Sequence, residues 1–343
     1  MAEENKKENK KIIIAVDAMG DDKAPDEIIK GCVEVFKICS DLKIFLVGKK
    51  EIIEKKLDEY KERGLDFDIE IIDAQEVILN NESPTWAIKN KKESSIVKGL
   101  NLVKDEKADG FVSAGSTGAL LSCATILLTR LPGISRPVLA TLLPTVNKNK
   151  FVMLLDSGAN VDCKAIYLEQ FAHIGYVYMK NIMKVNRPKV GLINIGTENL
   201  KGNILTKEAY ELLGNSDLNF IGNVEARDIL SGIADVLVCD GFVGNIILKN
   251  IEGVAKNIFG MLKNDIKKNI FRKLGGLLVK PAFVNLKKKF DYNEIGGAPF
   301  LGLNALVVKI HGASDYRAVK NAIMQCVDFI KNDLKEKIKL FRA

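Results

Sequence analysis

Val190-Gly191-Leu192-Ile193 runs straight into Asn194-Ile195-Gly196-Thr197-Glu198-Asn199-Leu200-Lys201-Gly202-Asn203, and the reading of this stretch decides the fold. A short, continuous apolar run is a strand buried on both faces. The strand opens into a polar loop. Two glycines, three asparagines, a threonine and one lysine can aim backbone N–H groups, amide donors and an ammonium at a single anion. The same residues also suit an ordinary turn in which Gly and Asn only supply left-handed backbone. The other strand ends must decide between the two.

Working outward, apolar runs at residues 12–16, 44–47, 69–72, 111–113, 138–142, 152–155, 219–221, 236–238 and 306–310 repeat the theme, mostly with helical patterns between them. Runs apolar on both faces predict a mainly parallel sheet covered by helices, an α/β fold of three layers, αβα. Pro25 is placed at the start of a helix reaching about residue 38, and Ser83-Pro84 reads as a cap and first turn opening a helix through about 103. Thr117 opens a helix over 118–131 that is apolar nearly all round and therefore expected to be buried. The polar turn Asn147-Lys148-Asn149-Lys150 is either a boundary or the loop of an antiparallel hairpin. One α/β catalytic domain over 12–343 is expected, behind a charged tail, 1–11, that reads as disordered.

Among 343 residues, 47% are hydrophobic and 28% charged, which is enough to bury a large core. The net charge of +7 favours an acidic partner, an anionic substrate or an anionic membrane surface. Cys32, Cys39, Cys123, Cys163, Cys239 and Cys326 form no C-x-x-C pair and no zinc spacing, so they read as reduced thiols of a cytosolic protein. No apolar run is long enough to span a bilayer, and the tail has no apolar leader segment.

Ligands of open α/β sheets sit beyond the carboxyl ends of the strands. Those ends carry Asp17-Ala18-Met19-Gly20, Ser113-Ala114-Gly115-Ser116-Thr117-Gly118, Asp156-Ser157-Gly158-Ala159-Asn160, Asn194-Ile195-Gly196-Thr197, Asp240-Gly241-Phe242-Val243-Gly244-Asn245 and His311-Gly312-Ala313-Ser314-Asp315. If all leave one edge, they line a continuous polar cleft. Gly115 to Gly118 precede a helix and either hold a phosphate at its amino end or merely cap it. Asn245 donates to an oxyanion or caps. There is no G-x-G-x-x-G after the first strand and no G-x-x-x-x-G-K-[ST], which argues against Rossmann dinucleotide binding and P-loop hydrolysis. His173 sits in an apolar helical pattern and reads as a core or interface histidine, whereas His311, at a strand end, is open to a site role. No Ser-His-Asp or Cys-His pairing is suggested, and Cys239 reads as a buried strand residue. An enzyme here works without a nucleophile of its own.

These segments carry a resemblance. Residues 14–21, 113–120, 155–162, 194–203, 220–228, 240–245 and 296–302 with His311-Gly312 are similar to the bacterial phosphate acyltransferase family (PlsX), over nearly the whole chain beyond the tail. The resemblance implies transfer of a long-chain fatty acyl group from an acyl carrier protein thioester to inorganic phosphate, giving acyl phosphate for phospholipid synthesis. It implies an architecture like that of the isocitrate and isopropylmalate dehydrogenases with a protruding helical hairpin. It marks Lys201 and Asn245 as catalytic. The candidate phosphate and substrate contacts are Asp17, Gly20, Gly115, Ser116, Thr117, Gly118, Asp156, Gly158, Asn160, Gly196, Thr197, Gly202, Asn203, Asp240, Gly241 and Gly244. No cofactor, metal or nucleic acid is expected. Expected partners are acyl carrier protein, inorganic phosphate, a second copy in a homodimer and a downstream glycerol-phosphate acyltransferase, with the protein cytoplasmic and peripherally attached to the inner face of the plasma membrane. Asp21, Ser116, Ser157 and Val243 depart from the residues usual in the family. The alternative activity is a phosphate acetyl- or butyryltransferase using acyl-CoA.

Thioester-to-phosphate transfer suits the missing nucleophile, because phosphate attacks the carbonyl directly and thiolate leaves. The enzyme then has to hold the dianion, exclude water and stabilise the oxyanion. A second feature is 251–290, where Ile251, Val254, Ile258, Leu262, Ile266, Ile270, Leu274 and Leu278 recur at helical spacing while lysines fall largely elsewhere. Gly275-Gly276 is expected to break this pattern before Phe283, Leu286 and Phe290. Such a basic amphipathic hairpin meets a membrane or a carrier protein through Leu262, Ile266, Lys267, Ile270, Phe283, Lys287 and Lys288, or packs on the core or a dimer partner.

Overall fold

Apolar, β-branched runs become strands wherever both faces of the sheet are covered. In a computed structural model, which describes residues 11–20, 23–79 and 82–340, the order begins β1 (Ile12–Asp17), α1 (Asp26–Val35), β2 (Leu42–Gly48), α2 (Lys50–Lys61), β3 (Ile69–Asp73), α3 (Pro84–Asn90), α4 (Ser95–Lys104), β4 (Gly110–Ser113) and α5 (Thr117–Leu128). It continues with β5 (Val138–Leu139), β6 (Thr141–Pro144), β7 (Phe151–Leu155), α6 (Ala165–Asn181), β8 (Val190–Asn194), α7 (Ile204–Gly214), β9 (Phe220–Glu225), a 3₁₀ turn (Ala226–Ser231) and β10 (Val236–Val238). The last elements are α8 (Gly241–Ile266), α9 (Ile270–Lys289), α10 (Tyr292–Ile295), β11 (Ala298–Leu301), β12 (Leu306–Lys309), α11 (Tyr316–Lys331) and α12 (Leu334–Leu340). Residues 1–10 of the tail and Asp21 lie outside the described residues.

The chain forms two compact units. One comprises the described residues up to Thr129 together with Leu303–Lys331, and the other Arg130–Gly302 together with the described residues from Asn332 onward. The first is a parallel sheet in the order β3-β2-β1-β4-β12. Helices α4 and α11 cover its centre. Gly99 of α4 leaves room for the Phe111 ring, and Gly31 of α1 leaves room for Val319 of α11. The second unit has a sheet in the order β6-β7-β10-β8-β9, with only the β6–β7 pair antiparallel, and it also contributes β5 and β11, which pair antiparallel. Its core gathers Leu143, Val152, Leu154, Val224 and Leu237, and the first turns of α8 pack on it through Val243, Ile247, Leu248 and Ile251.

Several expected boundaries move, each for a local reason. The helix expected over 84–103 is two helices, because Ser94 is the true cap: its Oγ accepts the Val97 N–H at 3.4 Å and donates to the Lys91 carbonyl at 2.7 Å, while no side-chain cap bond forms at Ser83. The run 138–142 splits into β5 and β6, since Val138 and Leu139 pair with β11 and the residues from Thr141 pair with β7. Residues 147–150 are the loop of the β6–β7 hairpin. Helix α5 ends at Leu128 and leaves Ile126 exposed, so it is buried on one side rather than all round.

The largest shift concerns the helical hairpin. Its first helix begins at Gly241, and its bend lies at residues 267–269, where the Asn269 side chain accepts the Arg272 N–H at 2.8 Å. Gly275 and Gly276 are inside α9 and do not break it. A Cβ on Gly276 would stand 2.5 Å from Cγ2 of Ile266, so the glycine serves close approach of the two helices.

Candidate active site

In the second unit β7, β10 and β8 are parallel neighbours, with Val238 level with both Leu155 and Leu192. The loops at their carboxyl ends therefore leave one edge of the sheet, the edge where open α/β sheets bind ligands. Asp156, directly after β7, is wholly buried. Its Oδ1 accepts N–H groups from Gly158 at 3.0 Å, Ala159 at 2.9 Å and Leu139 at 3.3 Å. Its Oδ2 accepts both the backbone N–H and the side-chain amide of Asn160 at 2.7 Å. Burial pushes this carboxyl above the usual range, against the pull of those donors. The carboxylate is thus the hub that shapes loop 156–160.

That loop is locked to the start of α8. The Gly241 N–H donates to the Asn160 carbonyl at 2.7 Å, and any Cβ on Gly244 would collide with the Asp156 carbonyl. Asp240 caps α8 by accepting the Val243 N–H at 2.9 Å. Asn245, near the start of α8, is exposed, and a Cβ on Gly158, at φ +137, would stand 3.5 Å from its side chain. The Asn245 carboxamide has no hydrogen-bond partner among the described residues, so its donor is available at a helix amino end, where anions are favoured.

Loop 194–203 is held in a different way. The Asn194 amide donates to the Lys201 carbonyl and to Oδ1 of Asn223, both at 3.1 Å, and the Asn223 amide donates to the Glu198 carbonyl at 2.8 Å. Asn203 caps α7 by accepting the Thr206 N–H at 2.9 Å, and Asn199 accepts from the Tyr210 hydroxyl at 2.7 Å. Gly202 takes φ +99, where a Cβ would meet Thr206 and Asn194. The stem of Lys201 passes over buried Gly196, and Thr197 is exposed. The Lys201 ammonium is exposed and has no hydrogen-bond or ion-pair partner among the described residues.

In the first unit, β1 and β4 are neighbours from which the chain departs to opposite sides, a topological switch point. Buried Asp17 ends β1 and accepts the Ser113 hydroxyl at 2.7 Å and the Met19 N–H at 3.0 Å. Burial pushes the Asp17 carboxyl up, countered by Ser113, Ser95, Met19 and the charge of Lys309. A Cβ on Gly20 would stand 2.5 Å from the Gly115 nitrogen, so the two glycines let the loops touch. Ser116 caps α5 by accepting the Ala119 N–H at 3.5 Å, with Thr117 and Gly118 in the first turn.

Comparison with known proteins now identifies the family. A profile described as "Fatty acid synthesis protein" matches residues 12–337. The phosphate acyltransferase of Clostridium tetani (strain Massachusetts / E88) is 51% identical over 329 residues, covering 95% of this chain and 96% of its own. That of Clostridium botulinum (strain Loch Maree / Type A3) is 52% identical over 314 residues, 92% of each chain. The chain belongs to the phosphate acyltransferase family. It is a transferase enzyme. Among solved structures, a phosphotransacetylase from Streptococcus pyogenes shares the fold at 20% identity, covering 94% of this chain and 95% of its own with a TM-score of 0.60. A branched-chain phosphotransacylase from Enterococcus faecalis V583 does so at 12% identity, covering 94% and 99% with a TM-score of 0.59.

The acyltransferase's thiols and histidines are engaged in the fold. Burial pushes the Cys163 thiol up to about 12 and that of Cys239 well above its ordinary value. His173 is buried in α6, with Nδ1 3.0 Å from the Glu169 carbonyl, and Nδ1 of His311 accepts the Ala313 N–H at 3.0 Å. The positioning pair Asn194–Asn223 and the Lys309 ammonium beside Asp17 were not among the expected site residues. An asparagine within the strand pattern 220–225 was the signal available for the first, and a lysine ending an apolar strand for the second.

No described helix of the acyltransferase is long and apolar enough to cross a membrane. Its hairpin is nonetheless apolar and open: α9 has no buried residue, and Phe271 and Leu278 are 82% and 85% exposed. Ile270 and Lys267 lie exposed at the bend, Leu262, Ile266 and Phe283 are partly covered, and Lys287 is exposed. Lys288 pairs with Glu294 at 3.4 Å.

Proposed function

We propose that the enzyme transfers a long-chain fatty acyl group from the thioester of acyl carrier protein to inorganic phosphate. A phosphate oxygen attacks the thioester carbonyl, the tetrahedral oxyanion collapses, and the carbon–sulfur bond breaks to release the carrier thiolate, which takes up a proton, and an acyl phosphate for phospholipid synthesis. The observation that carries this reading is the pair of donors with no partner among the described residues, the Lys201 ammonium and the Asn245 carboxamide, in loops whose other polar groups largely hold the fold together. Lys201 neutralises the phosphate, and Asn245 donates to phosphate or oxyanion. The loop glycines, Gly158, Gly196 and Gly202 among them, keep side chains away from the anion, and Asp156, Asp240, Asn160 and Asn203 act by shaping the loops. Within the first unit, Asp17 shapes a loop cluster of its own, Gly20 with the Gly115 to Gly118 segment, whose N–H groups and hydroxyls also suit an anion. The test compares acyl carrier protein and acyl-CoA donors in a phosphate-dependent assay. Turnover confined to acyl-CoA replaces the proposal by a phosphate acetyl- or butyryltransferase.

The same reading puts the hairpin on an anionic lipid surface at the inner face of the plasma membrane, in a homodimer that hands acyl phosphate to a glycerol-phosphate acyltransferase. Support comes from the exposed apolar face of α9 and its flanking lysines. Flotation with phosphatidylglycerol vesicles tests it. Lys287→Glu with Lys288→Glu is expected to reduce the bound fraction, and unchanged flotation contradicts the electrostatic part.

A further inference from the structure

A second basic feature stands apart from the three loops. A cavity of about 590 Å³ opens where the β6–β7 hairpin meets the end of α9, and none of its lining residues belongs to loops 156–160, 194–203 or 240–245. Its apolar lining is Leu142, Phe151 and Ile295, and its lysines are Lys148, Lys150, Lys288 and Lys289. One carboxylate, Glu294, is present and is paired with Lys288 at 3.4 Å. Lys148 and Lys150 have no ion-pair partner among the described residues. Lys289 bonds the Thr145 carbonyl at 2.6 Å and the Asn147 carbonyl at 3.4 Å, oxygens that carry no full charge.

The loop that presents Lys148 and Lys150 is built, not slack. Its Thr145 N–H donates to the Lys150 carbonyl at 3.1 Å, its Val146 N–H donates to the Leu230 carbonyl at 2.8 Å, and Asn149 holds φ 58. Lys289 ties it to the last turn of α9. A hydrogen-bonded loop that gathers uncompensated ammonium groups beside apolar walls selects a ligand that is anionic at one end and hydrocarbon at the other. The opening is of a size for a small molecule, and its wall is part of the chain's own fold.

We propose that this cavity is a second binding site, for a single-chain amphiphile with a phosphate head, Lys148 and Lys150 taking the phosphate and Leu142, Phe151 and Ile295 the chain. The inference rests on the cavity and not on the proposed reaction, although an acyl phosphate belongs to the same chemical class.

Calorimetric titration of the full chain with monododecyl phosphate, kept below its micelle concentration, tests this. A saturable one-to-one component is expected besides any binding at the three-loop cluster, at least roughly ten-fold tighter than for dodecyl maltoside or for inorganic phosphate alone. The double variant Lys148→Glu, Lys150→Glu is expected to weaken it by at least roughly ten-fold while acyl-transfer turnover stays within about two-fold, and Lys201→Ala is expected to leave it unchanged. Binding lost in Lys201→Ala but kept in the double variant assigns the amphiphile to the three-loop cluster and overturns the proposal. Equal affinity for the neutral amphiphile, or non-saturable uptake, reduces it to adsorption on the exposed hairpin and also overturns it. Inorganic phosphate binding as tightly as the amphiphile makes this a free-phosphate site and overturns the amphiphile class.

Discussion

At its amino end α8 starts from a loop whose polar groups are nearly all engaged inside the fold, while beyond Ile251 the same helix runs out into a hairpin whose apolar side chains are largely in solvent. Asp156 has five N–H partners, and Asp240 and Asn203 cap helices, yet the side chains of Lys201 and Asn245 have no hydrogen-bond partner among the described residues. Around the hairpin bend the situation is inverted: Phe271 and Leu278 are largely exposed, whereas Asp265 holds Lys268 and Arg272 in ion pairs. The comparison teaches where to look for chemistry. Polar groups already satisfied at one end of the helix build the site, and groups left unsatisfied, polar at one end and apolar at the other, are the ones that meet something outside the chain.

The largest expected effect breaks the comparison at its polar end. Lys201→Ala and Asn245→Ala should each lower turnover by about 10²–10³-fold, as loss of one electrostatic donor does, with thermal unfolding essentially unchanged because neither side chain holds the loop. Near-normal turnover in either variant removes that residue from the mechanism. Gly244→Ala should instead destabilise by about 3 kcal/mol, since its Cβ meets the Asp156 carbonyl. Denaturant unfolding checks this, and a neutral change means the two loops are not locked.

A smaller effect concerns protons. Burial raises the Asp17 carboxyl in the folded chain above its unfolded value, so its contribution to stability is complete below the unfolded value and is lost as pH rises through the folded one. The stability of wild type relative to Asp17→Asn should therefore improve as pH falls through the raised folded-state value toward the ordinary carboxylate range. A pH-independent difference contradicts the assignment. Smallest of all, Phe271→Asp or Leu278→Asp should shift unfolding by within about 0.5 kcal/mol, because the described residues leave both side chains largely exposed. A large loss would show that the hairpin is packed after all.

Much of this was legible in the sequence, and the remainder was hidden for physical reasons. Continuous apolar runs marked β1, β2, β4, β7, β8 and β10 because strands covered on both faces leave no alternation to confuse the reading. The split at Ala140 was hidden, since one apolar run serves two different partner strands. The strand β11, Ala298–Leu301, is short and carries Pro299, which argues against a strand until its partner is known. Gly275-Gly276 reads as a break by propensity, but a long helix packed against Ile266 overrides it. In the site, Asn194, Asn203 and Asp156 have the composition of ligands whether they bind an anion or hold a loop; only hydrogen-bond partners distinguish the two.

The central claim, that Lys201 and Asn245 serve acyl transfer to inorganic phosphate, is tested most directly by incubating the enzyme with a long-chain acyl carrier protein and phosphate and trapping acyl phosphate as its hydroxamate with hydroxylamine. The account predicts hydroxamate that depends on phosphate and falls by about 10²–10³-fold in Lys201→Ala. No phosphate-dependent hydroxamate at any acyl chain length, or an equal yield from the variant, contradicts it.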